Sequence, residues 1–516
     1  MGFHRIYGTH SPDPVKFPLF LNDLLWLCLA LAGFAHAAEA QRPNFIFVIT
    51  DDISPDDLGP YGNKVVKTPN LDRLAQRALV FDQACNVTAS CSPSRCAIIT
   101  GRYPHNTGAP ELHTTLPVDQ KTFIQALRDA GYHTVLSGKN HMGNPAGLGF
   151  DEVSNSKPSG AENWVRHLRD RPRDQPFFCW FASHDAHHPF EFDENAPRYS
   201  PDAVEVPPML YDGPLTREEL AKFYHEVSRT DFYVGELLKE LEAQGISDDT
   251  YFIYCSDNGR PFPRCKTYLY DSGIRTPLII AGPGVRAGRT QSLVSSIDYA
   301  PTILQLAGVD IPETVQGVSF EPILGDPEKT VRDVAFAERN WHVFSLHERM
   351  VRTRDWLYIW NAWPDQHNVC GESAFFDFPA ARELWEMADA GKLTDAQKQL
   401  TLPHQPAEML FRISEDPDQL VNVASDPRWS SILGEMRSLL NIWKQETRDS
   451  VPENPTPSRD ALHGGARTSG TLERSELPGS AAGATGINQP GPVRWTTQRS
   501  SAFAPGETRM PVSREE

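Results

Sequence analysis

Phe45-Ile46-Phe47-Val48-Ile49-Thr50, followed at once by Asp51-Asp52, is the stretch on which the fold turns. It is apolar at almost every position and rich in aromatic and β-branched residues, with none of the alternation that a half-exposed strand shows. Such a run fits a strand buried on both faces of a parallel sheet. Outward from it, helical and strand patterns follow one another: Thr68 to Ala78, Thr122 to Ala130, His133 to Ser137, Pro176 to Ala182, Glu218 to Gln244 and Thr250 to Cys255. The alternation predicts an α/β fold, a doubly wound, mixed but mostly parallel sheet flanked by helices. In open sheets of this kind ligands collect where strands end. Four polar clusters fall at strand ends: Asp51-Asp52, Gly138-Lys139-Asn140-His141, His184-Asp185 and Ser256-Asp257-Asn258-Gly259.

From about Ala335 the strands shorten. Arg349 to Thr353 and Trp356 to Trp360, separated by Arg354-Asp355, read as a hairpin in a smaller C-terminal antiparallel sheet subdomain that closes with a helix over Ser431 to Thr447. The expected organisation is a larger α/β domain over 42–335 and an α+β subdomain over 336–450. Residues 451–516, rich in Gly, Pro, Ser, Thr and Ala with few aliphatics, are expected to form a disordered tail. No internal repeat is present.

Leu24 to Ala35 is an apolar run too short to span a bilayer, and the small-residue stretch 36–40 follows it. Residues 1–40 therefore read as a secretory signal, despite the acidic Asp13 and Asp23. Export to a periplasmic, extracellular or lysosomal space is expected, with no stable membrane span after cleavage. Of the 8 cysteines, Cys28 would leave with the signal; the rest form no CxxC pair, so a zinc ribbon is not expected, while one or two disulfides are compatible with the spacing. The net charge of −18 and the lack of a Lys/Arg block exclude nucleic acid as a partner. An anionic substrate would need isolated cations fixed inside a cleft. The sequence leaves the oligomeric state open, a homodimer included.

The run 90–108, SCSPSRCAIITGRYPHNTG, holds Cys91-Ser92-Pro93-Ser94-Arg95 and, shortly after, Thr100-Gly101-Arg102. This resembles the signature of the sulfatase family, in which a maturation enzyme converts the cysteine to formylglycine. Sulfate cleavage needs a nucleophile that can attack sulfur and then release sulfate again, where a serine would be left as a stable ester. A hydrated aldehyde carries two hydroxyls on one carbon: one attacks, and the other expels sulfate by re-forming the carbonyl. Read alone, Cys91 would be a small buried residue or half a disulfide; the surrounding motif favours the nucleophile.

Asp51, Asp52, Asp257 and Asn258 offer hard oxygen ligands from two strand ends, suited to calcium or magnesium rather than zinc. The resemblance implies one divalent ion on these residues, usually calcium, with the converted Cys91 as a further ligand. It also implies that Arg95 orients the formylglycine, Lys139 binds sulfate, His141 acts as base and His184 protonates the leaving atom. The loop GKNHMG carries Asn140 where the family pattern has Trp. Lys266, nine residues past Asp257, stands where the family places its last sulfate-binding cation, with Arg264 as a competing candidate.

The resemblance covers Arg42 to Asp449. SDNGRPFPRCKTYLY and the run Leu410 to Arg448 look like the heparan N-sulfatase branch of the family. The expected substrate is thus a sulfated saccharide, N-sulfated glucosamine first and an O-sulfated polysaccharide second. Glycan-gripping loops are sought at His187-His188, Asp212-Gly213 and Trp341-His342. A phosphoester hydrolase would want a Ser or Thr nucleophile and more histidine ligands. A catalytically silent glycan-binding relative should have lost a member of the set, and none is missing here.

Overall fold

Strand β1 (Asn44–Thr50) is buried at every position, which is why its sequence runs apolar without alternation. Phe45, Phe47 and Ile49 enter one hydrophobic cluster, and Ile46 and Val48 enter another on the opposite face. The computed structural model describes residues 1, 2, 4, 8, 42–462, 472–477 and 493–500. The expected signal over 1–40 lies almost wholly outside these residues. Among the described residues, no helix is long and apolar enough to cross a membrane.

The main sheet contains β1, β2 (Leu79–Phe81), β3 (His133–Gly138), β4 (Glu152–Ser154), β5 (Phe177–Ala182), β6 (Thr250–Ser256), β7 (Leu278–Ala281) and β8 (Gly288–Thr290). Their order is β4-β3-β5-β1-β6-β7-β2-β8. The pairs from β4 to β6 are parallel, β7 runs antiparallel to both β6 and β2, and β2 pairs parallel with β8. The flanking helices are α1 (Pro69–Ala75), α2 (Cys91–Thr100), α3 (Phe123–Asp129), α4 (Trp164–Asp170), α5 (Pro214–Gln244) and α6 (Tyr299–Leu306). The expected mixed, mostly parallel α/β core is therefore present, with strand ends within a residue or two of those read from sequence.

A second, antiparallel sheet has the order β9 (Ala335–Arg339), β10 (Glu348–Arg352), β11 (Trp356–Asn361), β12 (Glu408–Arg412). Helices α7 (Pro379–Asp389) and α8 (Ser430–Thr447) accompany it. Trp443 of α8 stacks on Phe336 of β9 with ring centroids 5.2 Å apart, and meets Tyr103, just past α2, edge-on at 5.1 Å. This one indole thus joins the second sheet to the helix that carries Cys91.

Helices α5 and α7 cap each other. Glu383 of α7 accepts from Thr216 N at 2.9 Å and Leu215 N at 3.3 Å in the first turn of α5, and Glu219 of α5 accepts from Ala380 N at 2.6 Å in the first turn of α7. Each carboxylate satisfies free N–H groups at the positive end of the other helix.

The described residues bear on two further expectations. The described parts of 451–516 are ordered against the body: Trp495 is 1% exposed with its ring 4.8 Å from that of Phe336, and Thr456 and Ser475 both donate to the buried Glu111, at 2.7 and 2.8 Å. The anchoring is mainly polar, so a count of aliphatic residues misses it. The seven described cysteines are all buried thiols and none forms a disulfide.

Candidate active site

The strand ends bring their polar clusters together. Asp51 and Asp52 leave β1 and Asp257 and Asn258 leave β6, two neighbouring parallel strands. Asp52 takes a left-handed φ of 61°, and its N–H lies 3.3 Å from Asp257 Oδ1. Gly138 closes β3 with φ +101°; a Cβ there would stand 1.8 Å from Ala182 O, so only glycine lets the chain pass β5 closely enough for Lys139 N to donate to that carbonyl. Lys139 is thereby aimed at Asp51, with which its ammonium is paired.

Cys91 is the first residue of α2, where free N–H groups and the helix dipole favour negative charge. Its Sγ lies 3.6 Å from Asp51 Oδ1 and 3.9 Å from Asp52 Oδ1. One turn on, Arg95 donates through Nε to Asp257 Oδ2 at 2.8 Å, with Nη2 at 2.7 Å from the same oxygen. Lys266 Nζ lies 2.7 Å from Asp52 Oδ2. Each of the three carboxylates so has its own cation. Thr100-Gly101-Arg102 points elsewhere: Gly101 ends the helix at φ 65°, and Arg102 donates to Asn106 O at 3.1 Å.

The sequence left Lys266 and Arg264 as competitors, and only Lys266 reaches this cluster. Arg264 stacks on Tyr270, 3.6 Å from the ring centre, and donates to Asp418 O at 3.0 Å and to Gln419 O. Asp212-Gly213 leads into α5, where the exposed Asp212 pairs with Arg217.

His141 and His184 line a cleft of about 290 Å³ with Asp51, Lys139, His113, Lys157, His187 and Arg229. His141 has φ 59°, its ring centre is 4.9 Å from that of His113, and its buried Nδ1 has no partner among the described residues. His184 Nε2 lies 2.8 Å from Asn155 Oδ1. Burial and the nearby Lys139 push His141 down to about 2, and burial with Lys157 takes His184 to about 4, so both are neutral near pH 7. Burial alone would raise Asp51, but Lys139, His187 and Arg95 outweigh it and hold the carboxyl well below the usual range. Asp52 goes the other way: burial lifts it well above that range, more than Lys266 offsets. His113 and Lys157 were not singled out by the sequence reading, because neither sits in a motif or at the end of a long strand.

One ligand atom each from Asp51, Asp52, Cys91 and Asp257 lies within 4.8 Å of the others, and all four residues are buried. Asn258 Oδ1 is buried beside them without a hydrogen-bond partner among the described residues, while its amide donates to Asp52 Oδ1 at 2.7 Å. A crowd of hard oxygens with one acceptor left open fits a divalent cation of the calcium or magnesium type.

A helix-borne nucleophile position, an acidic metal pocket and inward-facing cations at the ends of parallel strands define a metal-assisted hydrolase for anionic esters or amides. The chain belongs to the sulfatase family, whose members hydrolyse sulfate esters and sulfamates: the family model "Sulfatase" matches residues 43–159 and 159–309. A second model, "N-sulphoglucosamine sulphohydrolase, C-terminal", matches residues 264–446. The chain is 29% identical to an ulvan-active sulfatase of Formosa agariphila, over 80% of this chain and 77% of the relative. It is also 29% identical to human N-sulphoglucosamine sulphohydrolase, over 82% and 94%. A solved structure described in complex with its substrate, D-glucosamine-2-N,6-O-disulfate, superposes with a TM-score of 0.62 at 21% identity, over 80% of this chain and 99% of the other. That last likeness is one of fold.

Proposed function

We propose that this protein removes sulfate from a sulfated saccharide by means of a formylglycine formed at Cys91, and that N-sulfated glucosamine is its substrate. The observation that carries the chemistry is the position of Cys91 at the start of α2, against Asp51 and Asp52 and beside the two inward-facing lysines. The match of residues 264–446 to the N-sulphoglucosamine sulphohydrolase C-terminal model supports the substrate. A second reading, an O-sulfatase of another polysaccharide, is favoured by the equal identity to the ulvan-active relative.

Asp51, Asp52, Asp257, Asn258 and the converted Cys91 would hold one divalent cation. Bound there, the ion supplies positive charge beside a sulfuryl oxygen and lowers the pKa of the attacking hydroxyl. Arg95 keeps Asp257 oriented and sits one helical turn from the nucleophile. Lys139 and Lys266 bind sulfate oxygens and hold the sulfur against residue 91. His141, neutral and with a ring nitrogen unpartnered among the described residues, accepts the proton of the second hydroxyl once bound sulfate offsets the Lys139 charge that lowers its proton affinity. His184 gives a proton to the departing nitrogen or oxygen. It is neutral in the free protein, and the negative charge of a bound substrate raises its proton affinity.

Mass spectrometry of the peptide containing Cys91, from protein made alongside a formylglycine-generating maturation enzyme, is expected to show thiol-to-aldehyde conversion; an unmodified, fully active protein would overturn the mechanism. Paired assays on N-sulfoglucosamine and O-sulfated sugars test the substrate, and turnover of O-sulfates alone would decide for the second reading. Chelation is expected to lower turnover roughly tenfold or more and to lower Tm, with calcium or magnesium restoring both.

A further inference from the structure

Lys266 has a second carboxylate neighbour, and the reaction as described gives that group no task. Glu372 Oε1 lies 3.3 Å from Lys266 Nζ. Its other oxygen, Oε2, is buried with no hydrogen-bond partner among the described residues, in a residue only 7% exposed. An unpaired buried carboxylate oxygen is costly, and a negative charge next to a sulfate-binding cation weakens the site for an anion.

The placement is rigidly built. Glu372 belongs to the single turn Gly371–Ala374, and the loop carrying Lys266 is stitched to that turn. Tyr268 donates to Asn368 O at 2.8 Å, and its hydroxyl lies 2.9 Å from Ser373 Oγ. Arg339 donates to both Thr267 Oγ1, at 3.1 Å, and Val369 O, at 3.2 Å. Nearby, His342 Nδ1 lies 2.7 Å from the hydroxyl of Ser90, the residue before the nucleophile. Through Lys266, Glu372 is tied to Asp52 in the carboxylate cluster, and its charge is felt at His342 and at His187, which lines the cleft.

A fixed acceptor beside bound sulfate is useful only if the substrate offers a donor there. The bridging oxygen of a sulfate ester carries no hydrogen, whereas the bridging nitrogen of a sulfamate carries one. We propose that Glu372 is a specificity-determining residue whose free oxygen accepts the N–H of a sulfamate, so that the site selects N-sulfated amino sugars over sulfate esters. This deepens the sulfatase reading given above and rests on it. A site built around such a hydrogen bond rejects the analogue that lacks the donor, because its own polar group is then left unpaired.

The test compares wild type, Glu372→Gln and Glu372→Ala as full chains with formylglycine verified by mass spectrometry, on N-sulfoglucosamine and on 4-nitrophenyl sulfate. Glu372→Ala, which removes the acceptor, is expected to lose roughly 10- to 100-fold in kcat/KM on the sulfamate, and Glu372→Gln, which keeps a neutral carbonyl acceptor, a smaller part of that, about 3- to 10-fold. On the ester they should stay within about threefold or improve through a lower KM, since a repelling charge is gone. Equal losses on both substrates would mean that Glu372 merely holds Lys266, and no loss on the sulfamate would also sink the role. Glu372→Gln is isosteric, and thermal unfolding confirms that the compared proteins are folded. The wild type supplies an independent measurement: turnover of the ester but not the sulfamate fails the N-sulfate reading and this role with it. Turnover of the sulfamate with unchanged selectivity in the variants fails this role alone.

Discussion

Lys266 and Arg264 stand two positions apart and do different work. Arg264 and Thr267 both take left-handed backbone conformations, with φ 63° and 72°. Those turns send the lysine inward to Asp52 and leave the arginine stacked on Tyr270. Lys266→Ala should reduce kcat/KM roughly 100-fold or more, as removal of a fixed charge-stabilising group does, while the fold survives. Arg264→Ala should instead lower stability by about 2–3 kcal/mol through its lost buried hydrogen bonds, with kcat nearly unchanged. Steady-state kinetics and thermal unfolding of the two variants separate these outcomes. The difference could not be read from SDNGRPFPRCK, because backbone conformation, not spacing, decides which cation faces in. Asp51, Asp52, Cys91, Arg95, Lys139, Asp257 and Asn258 were legible because each sits within a motif at a strand end or helix start. His113 and Glu372 were not: His113 lies in the loop just past the run 90–108 and Glu372 in a short turn, and neither belongs to a motif.

At the scale of elements, the long strands were legible for a physical reason: burial on both faces forces an unbroken apolar run. The short strands β2, β7 and β8 carry too few residues for any period to show. The mutual capping of α5 and α7 was invisible as well, since each cap is a carboxylate from another helix. Glu383→Ala should therefore cost about 1–2 kcal/mol, the usual effect of losing a helix cap, measured by denaturant unfolding. The C-terminal end of α8 is docked by charge. Arg349 donates to both oxygens of Asp449, at 2.8 and 2.7 Å. Burial would raise Asp449, but Arg349 and His105 overcome it and hold the carboxyl well below its ordinary value. A depressed folded-state pKa contributes stability that is complete above the unfolded value, about 3.9, and is lost as pH falls toward the folded value. Wild-type Tm should accordingly drop more steeply below about pH 4 than that of Asp449→Asn, which lacks this contribution at every pH.

At the scale of the molecule, the described stretches after residue 450, namely 451–462, 472–477 and 493–500, pack on the catalytic body. Glu111 accepts from Thr456 and Ser475 and is paired with Arg474 at 3.2 Å, while Arg474 Nη2 donates to Leu112 O at the same distance. Trp341 Nε1 donates to Pro457 O at 2.8 Å. These contacts brace the loop that presents His113 to His141. Truncation after residue 450 should raise hydrogen exchange across residues 109–114, lower Tm and reduce kcat/KM. Unchanged exchange in that loop would show that the brace is dispensable. Composition pointed to disorder there because the bracing is mainly polar and its partners lie from 116 to more than 300 residues upstream.

Helix α2 is buried along its whole length, and Cys91 itself is 2% exposed. That burial sets an order of events in the life of the chain. If Cys91 is converted as proposed, a second enzyme could not grip the sequence around it once α2 is packed under the sheet and Trp443, so the thiol would have to be oxidised while this stretch is still extended. Folding then closes the window. On that mechanism a molecule that folds first would keep its thiol and every surrounding charge yet stay silent, and only unfolding would give it a second chance.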